Sequence, residues 1–129
     1  PKPVDGQSLL PLLQASASDW RAYIHGEHCT CYSPEQEMQY VTNGRRKLIW
    51  LPRLDQTQFF DLEEDPDECS NLIDAPDRQA EIAQWRDYLA HELAERNCGW
   101  VQNGQLVCPS DEPLVSPYQA RRWMGHNEV

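Results

Sequence analysis

The chain has 129 residues, enough for one domain with a modest core that requires neither a metal nor a disulfide staple. Eleven Lys and Arg against 21 Asp and Glu leave a formal charge of −10, which opposes phosphate backbones and anionic lipid, so nucleic acid and membrane surfaces are excluded as expected partners. No apolar run approaches the ~18 residues of a membrane span, so a soluble chain is expected, and Pro1-Lys2-Pro3 shows no secretory signal, which leaves the compartment open between cytoplasm and periplasm.

Residues 1–19 read as a leading segment. Asp5-Gly6 marks a turn there, and Leu9-Leu10-Pro11-Leu12-Leu13 is an apolar patch too short and Pro-interrupted for a helix core, so it needs a surface to lie on. From Trp20 to His25 the pattern alternates, Trp20, Ala22 and Ile24 on one face and Arg21, Tyr23 and His25 on the other, which predicts a first strand. Met38 to Val41 and Lys47 to Leu51 flank Asn43-Gly44, a dipeptide that predicts a tight type I′ hairpin. Gln58 to Leu62 reads as a further strand, ended by the carboxylate- and Pro-rich turn from Asp61 to Glu68.

Asp74-Ala75-Pro76-Asp77 offers a capping carboxylate and an early proline. Ile82, Trp85, Leu89 and Leu93 then recur along one face of an amphipathic helix, which Asn97 and Gly99 can stop. Trp100-Val101 and Leu106-Val107 surround Asn103-Gly104 as a second hairpin, and residues 109–129 read as an extended tail. The order predicts an α+β domain over residues 20–108: a small antiparallel sheet of about four strands, one long amphipathic helix packed on a face, and a C-terminal hairpin.

The segment His25-Gly26-Glu27-His28-Cys29-Thr30-Cys31 crowds imidazoles, a carboxylate and thiols together, which invites a zinc-binding module as an alternative function. Structural zinc sites bring ligand pairs from two chain segments, whereas here all candidates sit in one, so a polar strand end that is solvated or borders a cleft is the favoured reading, with a Cys-based staple as the other alternative. In an extended segment His25, Glu27, Cys29 and Cys31 share one side and His28 the other. Cys98 and Cys108 flank the second hairpin and could close it, but pairing across Asn103-Gly104 sets 98 opposite 109, one residue out of register. Asp111 and Glu112 beside Cys108-Pro109-Ser110 argue against a reactive thiolate. The turn from Asp61 to Glu68 lacks the ligand order of an EF-hand and reads as a stiffened, solvated turn. Arg45-Arg46-Lys47 and Arg121-Arg122 read as solvated basic spots, with steering of an anionic substrate as the functional alternative.

Taken together, the hairpin Met38-Gln39-Tyr40-Val41-Thr42-Asn43-Gly44-Arg45-Arg46-Lys47-Leu48-Ile49-Trp50 and the run Gln58 to Glu68 with Asn71-Leu72 resemble the C-terminal region of arylsulfatase-type sulfatases. The family runs a similar hairpin into a "DLxxDPxExxNL" strand and turn, then a helix with a "WR" pair, matched by Trp85-Arg86. Asp5 to Leu13 looks like the "DGrSLlPLL" segment that leaves the catalytic domain, and Ser116-Pro117-Tyr118 to Trp123 is similar to the ends of some members. The resemblance implies a sulfuric ester hydrolase as parent, with a formylglycine nucleophile and calcium in the catalytic domain. None of those motifs occurs in this chain, so it is expected to hold no catalytic residue or metal ligand and to be inactive alone. It also implies that residues 1–19 arrive from the catalytic domain, the main partner, and that His25, Glu27 and His28 stand at the rim of the sulfate-ester cleft. An apolar patch near residues 9–13 or on one sheet face would be exposed without that partner and would offer a dimer contact.

Overall fold

The computed structural model describes residues 6–14, 20–28, 33–94, 96 and 99–108. Four strands follow one another in space as they do in sequence: β1 (Ile24–His28), β2 (Met38–Thr42), β3 (Arg46–Leu51) and β4 (Gln56–Asp61) form one antiparallel meander. A single turn of helix, α1 (Leu10–Leu13), precedes them, and α2 (Gln79–Ala94) follows through a 3-10 turn at Pro76–Arg78. The strands β5 (Val101–Gln102) and β6 (Gln105–Leu106) make a separate two-stranded hairpin.

The register explains the core. Val41 stands opposite Leu48, and Leu48 opposite Phe59, so one face of the sheet carries an apolar row. Trp50 lies on the same face across from Gln39. Onto this row α2 lays Ile82, Trp85, Leu89 and Leu93, the stripe read from the sequence, and Trp100 closes the cluster edge-on to Trp50 at 6.3 Å. Phe59 and Leu48 are fully buried, and burying side chains of this size contributes about 1.5–3 kcal/mol each.

The first hairpin forms, but not as expected. Thr42 pairs with Lys47, which leaves Gly44-Arg45 as the central residues, and positive φ falls on Gly44 alone (84°), which excludes the I′ form. Centring the turn on Asn43-Gly44 would slide the strands by two residues and set Val41 opposite Arg46. The observed register sets it opposite Leu48, and both are wholly buried. Asn43 serves the turn differently: its Oδ1 accepts from the N–H groups of Arg45 and Arg46, each at 2.9 Å. The second hairpin follows the sequence reading, with positive φ at both Asn103 (52°) and Gly104 (77°) and Gln102 opposite Gln105.

The first strand is displaced. It begins at Ile24, because Thr42 is the last residue of β2 and Ile24 is its partner. The expected grouping of its faces is kept: Tyr23 and His25 look toward α2, Tyr23 stacking on Tyr88 at 4.5 Å, while Ile24 on the other face is 47% exposed. At Gly26 a side chain would collide with the Tyr40 ring, so the absence of a Cβ lets that ring lie across the strand. The expected capping carboxylate at Asp74 makes no cap. Gln79 stitches the approach instead, its Nε2 donating to the carbonyls of Ile73 and Ala75 at 2.9 and 3.0 Å. The far edge of β4 is closed by the following segment, with Phe59 N–H donating to Asn71 Oδ1 at 3.0 Å and Leu72 N–H to the Phe59 carbonyl at 2.8 Å.

Leu10–Leu13 form a single helical turn with Leu9 as its N-cap, since Pro11 sits in the first turn where its missing N–H costs nothing. The predicted exposure holds: Leu9 is 62% and Leu13 82% exposed, with Leu10 and Leu12 also open. The tail over 109–129 lies outside the described residues.

Candidate functional site

The rim residues named from the sequence divide between two faces. Strand pleating and the pairing of His25 with Val41 and Glu27 with Gln39 put His25 and Glu27 on the α2 side, while His28, opposite Met38, points the other way. Cys29 and Cys31 lie outside the described residues. At the α2 side, Arg96 reaches β1 from just beyond the helix end: its Nη1 donates to Glu27 Oε2 at 2.6 Å, and its Nη2 stands 3.4 Å from His25 Nδ1. On the other side of the ring, His25 Nε2 meets Gln39 Oε1 at 2.8 Å. Glu27, Arg96, His25 and Gln39 thus run in line from a half-exposed ion pair to a buried amide. Arg96 belongs to no motif, and no local signal in the sequence brings it to His25 and Glu27.

A second constellation ties the sheet to the helix. Arg46 Nη1 donates to Asp61 Oδ1 at 2.7 Å and Glu63 Oε2 at 3.1 Å, and its Nε donates to Glu81 Oε1 at 2.9 Å. Burial works against the charge of Arg46, but the hydrogen bond to Glu63 and the carboxylates of Asp61 and Glu81 outweigh it and push the guanidinium above its ordinary value. Lys47 donates to both oxygens of Glu68 at 2.9 Å. Of the first basic cluster only Arg45 is the solvated tip expected; Arg46 and Lys47 answer the acidic turn instead. Arg121 and Arg122 lie outside the described residues. The turn's own carboxylates are largely occupied: Asp61 Oδ1 also takes the N–H groups of Glu63 and Glu64, and Asp65 Oδ2 takes that of Ser70 at 2.7 Å.

An open cleft runs between α2, the β3–β4 turn and the β5–β6 hairpin, with Asp55, Arg86, Asp87 and Gln105 among its polar walls. Arg86 therefore faces the cleft while its neighbour Trp85 is buried in the core. Cys108 holds a free thiol next to this wall; a hydrogen bond to Asp55, with partial burial, pushes its pKa up, the opposite of what a nucleophile needs. Its suggested partner Cys98 lies outside the described residues. Among the described residues no group of three or more His, Cys, Asp or Glu side chains could hold a metal ion; Cys29 and Cys31 of the zinc-module alternative lie outside them.

No family model matches the chain. It is 36% identical over 107 residues, 83% of its length, to an arylsulfatase of Clostridium perfringens (strain 13 / Type A), and it spans 22% of that relative. Among solved structures, a 2-O GAG sulfatase superposes with a TM-score of 0.65 at 21% identity, over 84% of this chain and 26% of its own. A protein solved in complex with its substrate D-glucosamine-2-N,6-O-disulfate superposes with a TM-score of 0.63, again at 21% identity, over 73% of this chain and 21% of its own.

Proposed function

We propose, from the premise that the chain belongs to the sulfatases and is a C-terminal domain of that family, that it packs on the catalytic part of a sulfuric ester hydrolase and borders its substrate cleft. The observation that carries this reading is the 107-residue match to 22% of an arylsulfatase, on a sheet-and-helix fold common to solved sulfatases. Residues 1–19 then lead in from the catalytic part, residues 20–108 form the packing domain, and residues 109–129 trail from it. The exposed leucines of α1 suit burial against that partner, and in its absence they suit a dimer contact.

Sulfate-ester hydrolysis in this family needs a formylglycine and calcium. The residues here fit neither: Cys108-Pro109-Ser110 is not a CxPxR-type motif, and no described cluster gathers enough hard oxygen or nitrogen donors. We assign both groups to the catalytic part, as the family resemblance implies, and the isolated chain is expected to leave aryl sulfates unhydrolysed. The contribution of this domain is at the rim. There Glu27 and Arg96, with His25 behind them, present a charged, hydrogen-bonding edge, and His28 serves the opposite face. No described helix is long and apolar enough to cross a membrane.

The coding sequence on the N-terminal side of Pro1 tests the reading. An in-frame CxPSR or CxASR motif is expected there, and an open frame beginning at this proline would refute it.

A further inference from the structure

Three polar or charged side chains are buried among the described residues, and each needs a partner to offset the water it loses. Glu37 has Arg53 and Asp61 has Arg46, both charge-assisted pairs. Gln39, 1% exposed, sits on the apolar face of the sheet across from Trp50, and the partner of its carbonyl oxygen is the imidazole of His25. A neutral amide in a core row is a poor choice for packing alone, since an apolar residue of similar volume would avoid the desolvation. Its chemistry toward His25 accounts for it.

An amide oxygen only accepts, so the ring nitrogen 2.8 Å away, Nε2, must carry the proton. On the other side Arg96 Nη2 only donates, so Nδ1, at 3.4 Å, must offer its lone pair. The two neighbours agree. Turning the Gln39 amide round would require a lone pair on Nε2 and hence a proton on Nδ1, aimed at the guanidinium N–H. We infer that Gln39 is a positioning residue that fixes His25 as its Nε2–H tautomer and presents Nδ1, as an acceptor, to the Arg96–Glu27 pair. Within this arrangement Nε2 is committed to the sheet, and Nδ1 is the ring atom through which His25 meets the rim. A ligand group that draws Arg96 toward itself would leave Nδ1 ready to accept from a hydroxyl or amide N–H. That a ligand meets this rim rests on the function proposed above; the location of the ring proton does not.

Two-bond 1H–15N correlation spectra of the 129-residue chain at about pH 8.5, above the ordinary imidazole range, read the tautomer directly. The expected pattern has a protonated-type nitrogen at Nε2 and a lone-pair nitrogen at Nδ1. Q39L should speed exchange of the Nε2 proton about five- to tenfold and admit the Nδ1–H form, and Q39E should restore the wild-type pattern. A proton on Nδ1 in the wild type, or wild-type pattern and exchange in a folded Q39L, overturns the inference. Should circular dichroism find Q39L unfolded, R96A decides together with the wild type: it should keep the proton on Nε2 and move only the Nδ1 resonance, and a proton on Nδ1 in either spectrum overturns the inference. In a longer chain carrying the catalytic part, unchanged kcat/KM in H25A would refute the rim as a ligand contact while leaving the tautomer standing.

Discussion

Replacing Arg46 by Leu removes the hub between the sheet and α2. Its side chain is 18% exposed and that of Asp61 only 4%, so the substitution strands a carboxylate that water does not reach. Breaking a buried pair from one side costs about 3–5 kcal/mol in general. Here Asp61 keeps two backbone N–H donors, from Glu63 and Glu64, and a long contact with Arg78 at 3.5 Å. Glu63 is half-exposed and is resolvated at little cost. The expected loss is therefore at or just below the bottom of that range, about 2–3 kcal/mol, or roughly 10 °C in Tm for a folded unit of this size. Urea titration followed by tryptophan fluorescence suits the measurement, because Trp50, Trp85 and Trp100 are all buried in the affected core. R46K keeps the charge but not the fork that reaches three carboxylates, and should fall between the wild type and R46L. A loss under about 0.5 kcal/mol for R46L would mean that the cluster is solvent-screened decoration, and the argument that it fastens the helix would fail.

G26A places a methyl group against the Tyr40 ring and should destabilise the chain by about 1–3 kcal/mol, whereas the double variant G26A/Y40A should lose less than the sum of the two singles in the same titration. N71A removes the oxygen that accepts from Phe59 and Ile73 N–H groups, and a loss of about 1–2 kcal/mol is expected in thermal melts; no loss would mean that the β4 edge needs no cover. L9S/L13S alters two residues that are 62% and 82% exposed, so stability should stay within about 0.5 kcal/mol; the proposed dimer contact predicts wild-type self-association in sedimentation velocity that this variant loses, and a monomeric wild type would refute it. Because Asp55 holds the Cys108 thiol protonated, D55N should speed iodoacetamide labelling of Cys108 at mildly alkaline pH, read by peptide mass mapping; an unchanged rate would remove Asp55 as the cause.

What the sequence disclosed is what neighbouring residues decide. The stripe Ile82, Trp85, Leu89, Leu93 belongs to one helix and needs no distant information, and Asn103-Gly104 carries its own turn chemistry. The first strand was misplaced because alternation from Trp20 is real in the text but has no ladder partner; where a strand begins depends on β2, and Ile24 finds Thr42 only after both have formed. Register misled in the same way at Asn43-Gly44, where apolar pairing overrode a strong local turn signal. The candidate rim is half legible: His25 and Glu27 stand out by their density of polar groups, and pleating gives their shared side. Arg96, 69 residues from Glu27 in the chain, and the task of Gln39 emerge only from tertiary contact. For the same reason Arg46 read as a loose cation, since Glu81 lies 35 residues further on.

The meander is completed before its lid exists. A ribosome delivers β1 to β4 in order, each strand able to pair with the one just made, yet Val41, Leu48, Trp50 and Phe59 stay bare until Leu93 has also emerged. During that interval the nascent chain carries a ready-made sticky sheet, so slow codons or stalling between Phe60 and Leu93 would expose it to aggregation and to holdase chaperones more than a pause anywhere earlier.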